Sequence, residues 1–210
     1  NLRPKEFLSA CSERSGGEEV KRAAALFFVA MAVSLSVSSE PLSLAYGQEF
    51  SVVSPMDVQF SLENDMLVAI FKVEASKINA KEFFGPKDFP FQHDVVEVFV
   101  SVSQTHLPYF EFELSPFYQE FELKIIDPKK QMINDVHIGV THSAERVQGR
   151  WTARLAIPLK NLGWNGDPKE VYGNAYAILG VSPKRNYWSL FQLNETKPNF
   201  HLPQYFKPLL

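Results

Sequence analysis

The residues from Phe91 to Leu114, FQHDVVEVFVSVSQTHLPYFEFEL, restrict the fold more than any other part of this chain. Val96, Val98, Val100 and Val102 fall on one phase of a period of two, and Val95, Glu97, Phe99 and Ser101 fall on the other. Beyond the polar link SQTHLP, Phe110, Phe112 and Leu114 alternate with Tyr109, Glu111 and Glu113. β-Branched and aromatic residues at this period predict two half-buried antiparallel strands joined as a hairpin. With a loop from Ser103 to Leu107, Val102 faces Pro108 and Glu97 lies directly opposite Glu113. Like charges facing each other across a ladder destabilise it unless something compensates them. Water, a nearby Lys or Arg, a bound cation or a ring of hydroxyl donors would each serve.

The same period recurs along the chain. Strands are predicted at Asp57–Phe60, at Leu67–Val73 after the turn Glu63-Asn64-Asp65, and at Phe117–Ile126. Further ones are predicted at Asp135–Thr141, Arg150–Ile157, Asn174–Val181 and Tyr187–Leu193. Ser76–Phe84 reads as a helical turn or two, and GPKDFPF as a loop that delivers Phe89 and Phe91 to the central hairpin. Roughly nine or ten short strands without βαβ alternation predict an all-β fold, an antiparallel β-sandwich. Apolar content of 45% and 18 Phe residues can fill its core. A formal charge of −3 offers no basic stripe for nucleic acid.

Lys21 and Arg22 precede an apolar run from Ala23 to Val37, which is followed by a small-x-small site at Ser43-Leu44-Ala45. Such a run is shorter than the roughly 20 residues of a membrane span and has the flanks of a secretory signal peptide. The expectation is therefore a signal peptide over 20–45 and a module over 46–210. Residues 1–19 are read as untranslated or as a misassigned start. The product is expected to be secreted or periplasmic, with no membrane span after cleavage. Cys11 is the sole cysteine, so the module is held by its core without disulfides.

No G-x-S-x-G, H-E-x-x-H or phosphate-binding glycine loop occurs, and the histidines at 93, 106, 137, 142 and 201 are scattered. No enzymatic activity is expected. For Glu97 and Glu113 three readings stand: a glycosidase pair, a clamp on sugar hydroxyls, or a solvated strand face.

The ordered motifs D-V-V-E-V-F, Y-F-E-F-E-L, G-R-W-T-A-R-L-A-I-P-L and N-F-H-L-P-Q-Y-F resemble the family 9 carbohydrate-binding modules and their relatives, from about Val52 to Leu210. The resemblance implies a non-catalytic sandwich that holds a saccharide, such as the reducing end of a glycan, between two aromatic rings. Motif for motif, the rings correspond to Phe91 and Phe200, and the carboxylate that grips hydroxyls corresponds to Glu97. Glu113 falls where some members carry arginine. Phe stands where the sugar binders use Trp, a smaller platform, and an arginine opposite Glu97 is missing. The chemistry is coherent, because pyranose C–H faces stack on rings while carboxylates accept hydroxyl protons in short charge-assisted bonds. Trp188 is a further candidate platform; it alternates with Tyr187, so one of the two faces outward. A saccharide or cell-wall glycan is the expected partner.

Calcium occurs in some members of the family and stays open here, although no Asp-rich loop resembling an oxygen cage is present; no other cofactor is expected. Related sandwiches bind haem b through Met with His or Lys. Met56, Met66 and Met132 with His93, His137 or His201 are the available ligands, and no spacing singles out a pair. A partner-binding or structural module with a vestigial sugar site is the remaining alternative.

Overall fold

The computed structural model describes residues 35–36, 38–44 and 54–210. Residues 1–19, and most of the stretch read as a signal peptide, lie outside the described residues. The strands are β1 (Leu35–Ser36), β2 (Glu40–Pro41), β3 (Ser43–Leu44), β4 (Met56–Glu63), β5 (Met66–Glu74), β6 (Val95–Ser101) and β7 (Tyr109–Leu114). They continue with β8 (Glu120–Asp127), β9 (Gln131–Ile133), β10 (Thr141–Val147), β11 (Arg150–Pro158), β12 (Tyr172–Val181), β13 (Lys184–Ser189) and β14 (Lys207–Pro208). One sheet of six strands runs β1-β4-β5-β11-β10, with β2 also on β4. The other, of eight, runs β3-β13-β12-β6-β7-β8-β9, with β14 also on β12. Every pairing is antiparallel. The expected all-β sandwich is the fold observed. Among the described residues no helix is long and apolar enough to cross a membrane.

The central hairpin has the register its alternation predicts, with Glu97 opposite Glu113 and Val96 opposite Leu114. Val96, Val98, Val100, Phe110, Phe112 and Leu114 face the six-stranded sheet. There they meet Phe71, Val73, Trp151, Leu155 and Ile157 in the main core. A half-buried hairpin would leave its opposite face open. Instead β6 and β7 are buried at every position. A second apolar cluster covers that face, built on Val95, Phe99, Tyr109, Ile125 and Tyr176 and closed by Leu193, Phe200 and Phe206 of the C-terminal segment. A strand buried on both faces is stabilised by apolar area on two sides, at about 25 cal/mol per Å².

Two local features fix the strand positions. Asn64 and Asp65 sit at φ 51° and 64°, left-handed values these side chains tolerate, and so close β4 onto β5 in a tight hairpin. A Cβ on Gly173 would stand 2.0 Å from the Phe99 carbonyl oxygen, so only glycine lets β12 lie this close to β6.

Some segments depart from expectation. Asp135–Val140 is not a strand but a crossover between the sheets. Glu122 Oε2 accepts the Ile138 amide at 2.8 Å, Asn161 Nδ2 donates to the Ile138 carbonyl at 2.8 Å, and Gly139 turns at φ 84°. The strand begins instead at Thr141 and is mostly exposed, burying only Ala144, because it is the edge of its sheet. Ser76–Phe84 forms no helix. Upstream of the expected boundary at 46, β1 and β2 pair with β4, β3 pairs with β13, and Leu42 is buried in the main core. Two-residue strands leave no alternation to read.

Candidate functional site

The odd-numbered phase of β6 and β7 points away from the main core and forms the floor of a cavity of about 480 Å³. Glu97 and Phe99 come from β6, and Glu111 and Glu113 from β7. Phe121 and Leu123 come from β8, Ile178 from β12, and Arg185 and Tyr187 from β13. Cross-strand register sets Tyr176, Glu97, Glu113 and Phe121 in one row, and Asn174, Phe99, Glu111 and Leu123 in the next but one. Phe91, Met132 and the segment Pro198–His201 complete the lining.

The loop bearing Phe91 is tied down at both flanks. Asp94 is buried, and its carboxylate accepts the amides of Asn79 and Gly180, each at 2.7 Å. Arg185 Nη2 donates to the carbonyls of Phe91 and His93. Phe91 remains 39% exposed and stacks on Phe89, with centroids 5.3 Å apart and planes 12° from parallel. Phe121 meets both rings edge-on. Phe200 lies flat on Tyr176 with centroids 4.1 Å apart, and the Tyr176 hydroxyl donates to its carbonyl at 3.3 Å.

Three carboxyls are buried together on this floor. Desolvation pushes Glu97 well above the usual carboxylate range, Glu111 adding to the rise and Arg185 opposing it. Glu113 is driven well up by the same desolvation and then by Glu97 and Glu111. Glu111 rises to about 7, chiefly by burial, and its contact with Glu113 pulls the other way. Neither oxygen of Glu113 has a hydrogen-bond partner, nor does Oε2 of Glu111. The Glu111 carboxyl lies close enough to raise the Glu113 pKa further and the Phe91 backbone to lower it, although neither meets hydrogen-bond geometry.

His201 joins the site from the C-terminal segment. Its Nδ1 stands 2.9 Å from the Tyr109 hydroxyl and its Nε2 3.7 Å from Glu111 Oε2. Burial lowers the proton affinity of His201 and raises the pKa of the Tyr109 hydroxyl. His201 thus meets the Tyr109 hydroxyl through Nδ1 and turns Nε2 toward Glu111 without reaching hydrogen-bond distance.

Phe91, Glu97, Glu113 and Phe200, all expected at a site, line this one cavity. Trp188 does not. It is 3% exposed and faces the other way, into the main core opposite Ala177, so it cannot serve as a ligand platform. Its neighbour Tyr187 holds the cavity-facing phase. Glu111 was legible, since it shares the phase of Glu113 two residues on. Arg185 was not legible: it follows a turn and reaches the cavity across β12, so a guanidinium is present although none lies opposite Glu97. Met132 and His201 both line the cavity, while Met56 is buried in the main core. Among the described residues no group of three or more His, Cys, Asp and Glu could hold a metal ion.

No family model and no curated protein matches the sequence. Among solved structures, a Bacteroides uniformis protein described as a "putative carbohydrate-binding protein" superposes with a TM-score of 0.64 at 17% identity, over 81% of this chain and 84% of its own. That likeness shows the fold, an antiparallel β-sandwich of two sheets shared with that protein. A family 9 module from Caldicellulosiruptor kristjanssonii in complex with cellotriose matches at a TM-score of 0.48 and 11% identity, over 80% of this chain and 79% of that one. The glucose complex of a family 9 module from the same organism matches at 0.49 and 12%, over 81% and 80%.

Proposed function

We propose that this chain is an exported, non-catalytic module that binds a saccharide, such as the reducing end of a cell-wall glycan, in the cavity above Glu97 and Glu113. The observation that carries the reading is the makeup of that cavity. Aromatic rings from three separated segments, Phe91, Phe121 and Phe200, line a space whose floor is polar and otherwise under-bonded. Its volume of about 480 Å³ suits a small ligand. Rings offer stacking surface to pyranose C–H faces. The free oxygens of Glu113 and Glu111 offer acceptors, and in their protonated forms donors, to sugar hydroxyls.

The same carboxyls argue against hydrolysis. A glycosidase pairs one protonated acid with one ionised carboxylate. Here burial favours the neutral form of both Glu97 and Glu113. Binding without turnover is the reading for the facing pair Glu97 and Glu113, since neither of the two is favoured in the ionised form a glycosidase requires of one of them.

Calorimetry of the full chain against glucose, cellobiose, xylobiose and peptidoglycan fragments tests the proposal. At least one is expected to bind, and both Phe91→Ala and Phe200→Ala are expected to weaken that binding. Heat-silent titrations with the whole panel would refute saccharide binding, and unchanged affinity in both variants would refute the site.

A further inference from the structure

The charge balance of the cavity points beyond saccharides in general to a narrower class. Glu97, Glu111 and Glu113 line it together, and Arg185 is the only Lys or Arg among the lining residues. The Nη2 of that guanidinium is engaged by the carbonyls of Phe91 and His93 while its Nε has no partner, so three carboxyls face a single cation that is partly held by the backbone. Both oxygens of Glu113 and one of Glu111 have no protein donor, although Glu113 is 1% exposed. The other polar groups around the floor add no positive charge. Tyr109, Tyr176 and Tyr187 are phenols, and His201 is held neutral by burial with Nδ1 at the Tyr109 hydroxyl.

We infer that the cavity selects a saccharide carrying a free amine, an amino sugar whose ammonium sits among Glu97, Glu111 and Glu113. This rests on the saccharide reading and deepens it. A neutral hydroxyl brings a single donor and no charge, so it leaves the buried oxygens of Glu113 and Glu111 only partly paired. An ammonium brings three donors and a full positive charge to three acceptors. Hydrogen bonds between charged partners are roughly twice as strong as neutral ones. The Phe91, Phe121 and Phe200 rings at the same cavity add surfaces whose faces attract cations. Binding of the cation favours the ionised carboxyls, so protons held on the floor leave as the ligand enters.

The test is titration calorimetry of the full chain with glucosamine, glucose and N-acetylglucosamine at about pH 6.5, where a free amine is charged. It is run in two buffers of different ionisation enthalpy, so that protons released on binding are counted. Glucosamine is expected to bind at least about tenfold more tightly than glucose, with proton release, and acetylation is expected to abolish the advantage. Glu111→Gln and Glu113→Gln are each expected to cut the glucosamine-to-glucose ratio by about tenfold. Should either variant fail to fold, the proton count on the unaltered protein still decides the matter. Equal or tighter binding of glucose without proton release would overturn the amine preference and leave saccharide binding standing. No binding of any of the three sugars would overturn both.

Discussion

Glu111 makes the stability of this fold depend on pH in an unusual direction. Its carboxyl is buried, and its pKa rises from the ordinary 4.5 to about 7. Well below 4.5 it is neutral both folded and unfolded and adds no pH dependence. Between 4.5 and about 7 the folded protein keeps a proton that the unfolded chain has released, so the native state binds more protons and stability falls as pH rises. At about 1.4 kcal/mol for each pH unit of that interval, Glu111 alone removes about 3 kcal/mol by pH 8. Glu97 and Glu113, pushed up by the same burial, extend the loss to higher pH. Urea unfolding followed by tryptophan fluorescence at pH 4.5 to 8 measures it. With an m-value near 2 kcal/mol/M, the Glu111 share is a fall of about 1.5 M in midpoint. Glu111→Gln keeps the shape and removes the titrating group, so its profile is flatter across this window, with a residual slope from the other two carboxyls. A profile for the unaltered protein that is flat or rises with pH would refute the buried-carboxyl account. So would a Glu111→Gln profile just as steep.

Other substitutions separate packing from binding. Trp188→Ala opens the main core and costs about 3 to 5 kcal/mol by urea unfolding, while the saccharide affinity of the folded protein stays unchanged. Asp94→Ala leaves the Asn79 and Gly180 amides without their acceptor, costs about 3 kcal/mol, and speeds limited proteolysis between Asn79 and Phe91. Haem added to the purified protein gives no Soret band beyond that of free haem, because Nδ1 of His201 is bonded to Tyr109 and its Nε2 faces Glu111. A sharp new band lost in Met132→Ala and His201→Ala would show ligation instead.

Much of this architecture is visible in the chain as written. The alternation of β6 and β7 and the length of the loop between them are enough to place Glu97 opposite Glu113. Chain segments that pack on one side only, such as β5 and β11, also announce themselves by their period. The exposed edge strand β10 does not, since only Ala144 is buried and no apolar phase is required. Val136, Ile138 and Val140 show the converse error. They carry a strand's pattern, yet side chains from Glu122 and Asn161 hold the backbone at Ile138 as a crossover.

The floor and walls of the candidate site divide along the same line. Period two places Glu97, Glu111 and Glu113 on one face, and this much the residues determine by themselves. For Tyr187 and Trp188 the period shows only that they point in opposite directions. Which ring is core and which is cavity depends on the neighbouring strand, where Trp188 meets Ala177 on the side facing the other sheet. Only the tertiary structure decided that the carboxyl-bearing face is buried. The C-terminal segment folds back over it, laying Phe200 on Tyr176 and His201 beside Glu111, and that cover turns an ordinary strand face into three high-pKa carboxyls. Alternation is a local property of the backbone pleat, whereas desolvation is set by whatever distant chain comes to rest on top.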